Sequence, residues 1–140
     1  MIEVSAAILE QDKKILICQR PRTKACGGLW EFPGGKKEAH ESLEQSLIRE
    51  CQEELGVLIE EPIFYADVEI PENNLHLFFF KTALKSGKLQ KKEHEAFAWV
   101  GKEDLSSYTF CPSDTRMLAK ADKTTLFESY AAFRQSAMKS

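Results

Sequence analysis

Residues 34–57 read GGKKEAHESLEQSLIRECQEELGV, a glycine-led loop running into an acidic helix. Ser42 followed by Gln45 is a capping-box signature, and Gly56 after Leu55 is a left-handed stop, which predicts a helix over residues 42–55. At about 100° per residue, Glu50, Glu53 and Glu54 share one arc of roughly 100°. Leu47, Ile48, Cys51 and Leu55 fill the adjoining arc and pack the helix down, so the carboxylates sit at a rim between core and solvent. Most Glu-rich helices are simply solvated faces. Here, however, the carboxylates repel one another at i, i+3 and i+4, and they lie in the last two turns, where the helix dipole disfavours negative charge. Arg49 offsets one charge. A hard divalent cation with oxygen ligands neutralises such a cluster better, and Mg²⁺ leaves positions for water or phosphate oxygens, which makes a phosphate-bearing substrate the natural partner.

Gly35, Glu41 and the run Arg49-Glu50-Cys51-Gln52-Glu53-Glu54-Leu55-Gly56-Val57, at these spacings, resemble the signature of the Nudix hydrolases, which cleave nucleoside diphosphates linked to another group. Cys51 stands where the family usually has a bulkier aliphatic residue, and a packing change is the expected consequence. The resemblance implies an α/β fold, the Nudix α-β-α sandwich with a mixed sheet, as a single domain over residues 1–140. It also implies that Glu50, Glu53, Glu54 and the main-chain oxygen of Gly34 hold Mg²⁺, with Mn²⁺ as a substitute. Arg49 is expected to brace Glu41 or Glu50 through a bidentate ion pair, with Glu41 structural rather than catalytic. The general base is either Glu50, from its place in the box, or Glu93, from a separate loop.

Within the family the pattern is similar to the MutT-type nucleoside triphosphate pyrophosphohydrolases. Gln19-Arg20-Pro21, the run of residues 29–36, Glu93 six residues before Trp99, and Phe110-Cys111-Pro112-Ser113-Asp114 carry that likeness. It implies substrate contacts from Arg20, Glu31, Phe32, Lys36, Leu77 and Asp114. The competing readings are ordinary surface for Arg20 and Lys36, plain core for Leu77, and helix capping for Asp114. Bacterial MutT-type enzymes commonly carry Asn where this chain has Asp114, whereas relatives acting on cytidine nucleotides and other 8-oxoguanine enzymes can carry Asp. The whole-chain pattern favours an oxidised purine triphosphate such as 8-oxo-dGTP and a role in nucleotide-pool sanitation. A cytidine or modified cytidine triphosphate is the alternative. Spacing around Pro71, the lack of a suitably placed Tyr and the missing NADH-type motif argue against other branches. A non-catalytic nucleotide-binding module is the remaining class, and the intact Glu50, Glu53 and Glu54 oppose it.

The rest of the chain is consistent with one such domain. Its 140 residues are 43% hydrophobic, enough for one core, and 19 basic against 22 acidic residues give a net charge of −3 with no basic run. Polymeric nucleic acid and membrane are therefore unexpected partners, and a monomer or homodimer is expected. Cys18, Cys26, Cys51 and Cys111 form no Cys-x-x-Cys pair, and His40, His76 and His94 fall in no zinc-ligand spacing, so reduced thiols in a cytoplasmic protein are expected. The amino end lacks a basic n-region and a long apolar run. Along the chain, residues 2–9 and 14–20 read as a hairpin joined by residues 10–13, and residues 21–28 as a polar loop. Residues 57–70 hold one or two strands, 71–74 a turn, and 75–84 a strand buried on both faces; 86–88 read as a turn and 96–100 as a last strand. Asp104-Leu105 begins a helical turn. From Ser113 the pattern is helical, with Leu126, Tyr130 and Phe133 on one face of a second or continuous helix.

Overall fold

The computed structural model describes residues 1–139. β1 (Ile2–Gln11) and β2 (Lys14–Gln19) form the amino-terminal hairpin, pairing Gln11 with Lys14 and Glu10 with Ile15. Its turn is Asp12-Lys13 alone, with φ of 52° and 62°, a two-residue geometry whose twist matches that of the strands. β1 therefore runs past Leu9, where the sequence pattern ends it. The chain continues through β3 (Trp30–Glu31), β4 (Gly34–Lys36), α1 (Leu43–Leu55), β5 (Val57–Ile59), β6 (Ile63–Ile70), β7 (Leu75–Thr82), β8 (Leu84–Gly87) and β9 (Ala96–Val100). It closes with α2 (Pro112–Lys120), α3 (Lys123–Leu126) and α4 (Tyr130–Met138).

The main sheet runs β3-β2-β1-β7-β6, with β4 added to β1 and β9 to β2. It is mixed, because β1 pairs parallel with β7 from Ile2↔Leu75 to Leu9↔Thr82 and antiparallel with β4. The central strand has no solvent side, and its apolar residues serve alternate faces. Ala6 and Ile8 join Ile15, Ile17, Leu77, Phe79, Met117 and Leu126 in the core beneath α2 and α3. Ala7 and Leu9 join Leu16, Cys18 and Phe80 in the core beneath Leu47, Cys51 and Leu55 of α1. Helices thus cover both faces of the sheet, as the Nudix resemblance implies, and β7 is buried on both sides as its composition suggests.

Three readings are corrected. The segment expected as a turn at residues 86–88 belongs in part to β8, whose Leu84, Ser86 and Gly87 pair with β5 in a separate two-stranded ribbon. One apolar residue in four leaves no alternation to read. Gly34 and Gly35, expected in a loop, are hydrogen-bonded strand. The carboxy-terminal helical pattern breaks twice: Asp122 caps α3 through the N–H groups of Thr124 and Thr125, and Ser129 caps α4 through that of Ala132. Leu126 consequently lies on one helix, and Tyr130 and Phe133 on the next.

Candidate functional site

The acidic helix is fixed by its ends. Gln45 N–H donates to Ser42 Oγ at 3.0 Å and Ser42 N–H to Gln45 Oε1 at 2.8 Å, closing both arms of the capping box. Gly56 ends the helix at φ 70°, its N–H donating to Gln52 O at 3.0 Å. Ser46 faces inward, with its Oγ 3.2 Å from Ser5 Oγ of β1. This docking lays the carboxylate arc against β4. Gly34 N–H donates to Glu54 Oε1 at 3.2 Å. A Cβ on Gly35 would fall 2.4 Å from the Glu50 carboxyl carbon, and one on Gly34 would fall 1.9 Å from Ser5 O. Gly34 is required because β1 backbone approaches so closely, whereas a side chain at Gly35 would displace the Glu50 carboxylate from its place beside Arg49.

Arg49 is the local hub. Its Nε and Nη2 donate to the two oxygens of Glu41 at 3.0 and 2.6 Å, while Nη1 donates to Glu50 at 2.9 Å and Glu53 at 3.2 Å. Nη2 also reaches Lys36 O at 3.2 Å, tying the helix to β4. The Arg49 contacts, with the Glu38 N–H, hold the Glu41 carboxyl down at about 2. The opposite holds deeper in the cluster. Burial, and then the charges of Glu50, Glu31 and Glu93, push Glu54 up to about 8, with the Gly34 N–H only partly offsetting them. Glu50 is also raised, burial outweighing its bond to Arg49. Positive charge is therefore ample at Glu41 and short at Glu50 and Glu54. An all-oxygen donor set with a half-buried carboxyl crowded by like charge fits a hard divalent cation. Glu50 and Glu53 turn to Arg49 and Glu54 turns to Gly34, so the three carboxylates point to different partners. Glu38, His40 and Glu41 do bring ligand atoms within 4.8 Å of one another, but Glu41 is already committed to Arg49.

The remaining sequence-derived residues fall into two groups. Arg20 Nη1 pairs with Glu31 Oε1 at 3.1 Å and its Nε holds Ala25 O at 2.7 Å, pinning the loop of residues 21–28. Glu31 Oε2 lies 3.0 Å from His94 Nε2, and Glu93 on the following loop pairs with Lys24 at 3.4 Å. Arg20, Glu31 and Glu93 thus gather beside the carboxylate cluster. Lys36 is exposed at the end of β4. Phe32, Leu77 and Asp114 lie instead in the core between the sheet and α2. The Phe32 ring stacks at 5.9 Å on Phe110 and meets Phe79 edge-on at 6.1 Å. Asp114 is 4% exposed and accepts from Phe32 N–H at 3.0 Å and from Ser113 Oγ at 3.3 Å. Burial, the largest influence, pushes its carboxyl up to about 7. Sequence reasoning passed over His94, whose only signal was one His inside a charged run.

A mixed sheet between helices, with a capped acidic helix laid on a Gly-Gly strand, is the frame of a phosphoanhydride hydrolase. The NUDIX domain matches residues 1–121, and the chain belongs to the Nudix hydrolase family as a pyrophosphohydrolase. It is 42% identical over 120 residues to the CTP pyrophosphohydrolase of Escherichia coli (strain K12), covering 84% of this chain and 89% of that one. It is 30% identical over 121 residues to the 8-oxo-dGTP diphosphatase of Buchnera aphidicola subsp. Schizaphis graminum (strain Sg), covering 86% and 93%. Among solved structures, MutT from work on Aliivibrio salmonicida and Vibrio cholerae superposes with a TM-score of 0.69 at 32% identity, over 85% of this chain and 94% of that one. Among the described residues, no helix is long and apolar enough to cross a membrane.

Proposed function

We propose that this chain hydrolyses a nucleoside triphosphate to the monophosphate and pyrophosphate in a Mg²⁺-dependent reaction, with Mn²⁺ able to substitute, and that cytidine nucleotides are its preferred class. The observation that carries the reaction is the half-buried Glu54 carboxyl, crowded by Glu50, Glu31 and Glu93 and, among the described residues, held by one backbone N–H. Glu50, Glu53, Glu54 and the Gly34 carbonyl are the residues that would hold the metal. When bound, Mg²⁺ supplies charge neutralisation to the phosphoryl oxygens and a more acidic water. Arg49 orients Glu50 and Glu53 through its bonds to both. Glu93 takes the proton of the attacking water: it is exposed and pairs with a surface lysine, Lys24, whereas Glu50 is bound to Arg49. Lys36, exposed beside the cluster, meets the triphosphate.

For the base, the 42% identity to a CTP pyrophosphohydrolase over 120 residues supports a cytosine edge. Asp114 supports the same reading, since a carboxylate accepts from an exocyclic amino group. The second reading is 8-oxo-dGTP, supported by the relatives named as 8-oxo-dGTP diphosphatases and by the amino group that guanine also carries. Comparing kcat/KM for CTP, dCTP, 5-methyl-dCTP, dGTP and 8-oxo-dGTP with Mg²⁺ decides between them. Glu53→Gln should lower kcat by about 10²-fold or more while leaving the fold intact. Binding of nucleotides without turnover of any by the unaltered protein, with either metal, would overturn the enzyme reading.

A further inference from the structure

His94 is the buried member of an exposed run: Lys91, Lys92, Glu93 and Glu95 are all exposed, yet its side chain is 3% exposed. Its Nε2 lies 3.0 Å from Glu31 Oε2, and its Nδ1 is buried without a partner among the described residues. A buried nitrogen left unpaired is unfavourable, and a phenyl ring would fill the same space without that penalty. What the imidazole adds over an apolar ring is its bond to Glu31.

Glu31 is itself immobilised. Its other oxygen takes Arg20 Nη1 at 3.1 Å, and its backbone pairs with Cys18 of β2. The loop of residues 90–95 is tied at its ends, where Gln90 N–H donates to Leu55 O at 2.8 Å and Glu95 N–H to Gln19 O at 2.9 Å. Between those ends His94 supplies the buried anchor. The contact from Glu93 to Lys24 is an ion pair between side chains about half exposed, 49% and 53%, and pairs of that kind hold weakly. The residue that fixes the position of Glu93 is therefore its neighbour in sequence.

We infer that His94 is a positioning residue for hydrolysis: docked on Glu31, it holds Glu93 at the edge of the carboxylate cluster of α1, where Glu93 acts as base. This rests on the reading of Glu93 given above. The test measures kcat and KM for Glu93→Gln, His94→Phe, His94→Gln and the Glu93→Gln/His94→Phe double variant, using the best triphosphate of the substrate panel with Mg²⁺. Glu93→Gln should lower kcat by about 10²-fold. His94→Phe should lower kcat by about tenfold with KM nearly unchanged, and His94→Gln, whose amide nitrogen replaces Nε2 as donor to Glu31, should restore most of it. In the Glu93→Gln background, His94→Phe should change nothing further, because the group it positions is gone. An equal loss in both backgrounds, or full kcat in His94→Phe, would overturn the positioning role. Wild-type kcat in Glu93→Gln would instead remove the reading on which it rests. If His94→Phe does not fold, His94→Asn replaces it, since its shorter amide reaches the place of Nδ1 and not that of Nε2.

Discussion

Asp114 accepts the Phe32 N–H at 3.0 Å while 4% exposed, so a single side chain fastens α2 to the segment between β3 and β4. The linkage sign follows from its raised carboxyl, moved from an ordinary 3.8 to about 7 mainly by burial. The folded state binds the extra proton between those values, so the stability due to protonated Asp114 is complete below about 4 and is lost as pH rises to about 7. An amide accepts the same N–H and never ionises. Asp114→Asn should therefore raise stability by about 2–4 kcal/mol at pH 8, with the gain shrinking toward zero by pH 4. Thermal melts of both proteins from pH 4 to pH 8 check this, and a pH-independent difference would refute it. The same substitution tests recognition: if Asp114 reads an amino group, the ratio of kcat/KM for CTP to that for 8-oxo-dGTP shifts.

At the scale of elements, α1 and β4 form one unit, and Arg49 joins them by bonding Glu41, Glu50, Glu53 and Lys36 O together. A lysine keeps the charge but has no planar fork to hold Glu41 at two points and Glu50 and Glu53 at once. Arg49→Lys should lower kcat/KM by about 10–100-fold and weaken Mg²⁺ binding, read from activity against Mg²⁺ concentration, with a far smaller change in thermal stability. Why α1 was legible and other elements were not follows from where their information lies. The Ser42-Gln45 box, Gly56 and the 3.6-residue apolar stripe are all local to the helix, and its bounds of Leu43–Leu55 follow from them. β8 has a strand's backbone because β5 is beside it, and β4 because β1 is beside it, so neither announces itself in its own residues. The same division runs through the site. The carboxylate arc is a helical spacing, but the Glu31–His94 contact joins residues 63 positions apart, and no local pattern encodes it.

Over the whole molecule, the family match stops at residue 121, yet the chain beyond it is built into the sheet. Lys81, fully buried near the carboxy-terminal end of β7, donates to Thr125 O at 2.7 Å, Leu126 O at 3.1 Å and Glu128 O at 2.5 Å. Beside it, buried Glu10 accepts from Tyr130 N–H at 2.6 Å, and Tyr130 OH donates to Glu61 O at 2.5 Å. These are long-range contacts from two core strands to one terminal segment, which explains a lysine in a largely apolar strand: its three donors match three carbonyls around the end of α3, of which Thr125 O also accepts the Glu128 N–H at 3.3 Å. Leu126 and Phe127, at 1% and 6% exposure, then complete the core under α2. Lys81→Met keeps the length of the stem but takes the ammonium donor from all three carbonyls, which should cost about 2–4 kcal/mol in chemical denaturation. The loss should also be local before it is global. In native-state hydrogen exchange, amides of residues 123–130 should lose protection more than those of α1, because the clamp acts on that segment. Equal loss in both regions would mean that Lys81 serves the sheet as a whole, and an unchanged denaturation midpoint would mean that water satisfies the carbonyls as well as the ammonium does.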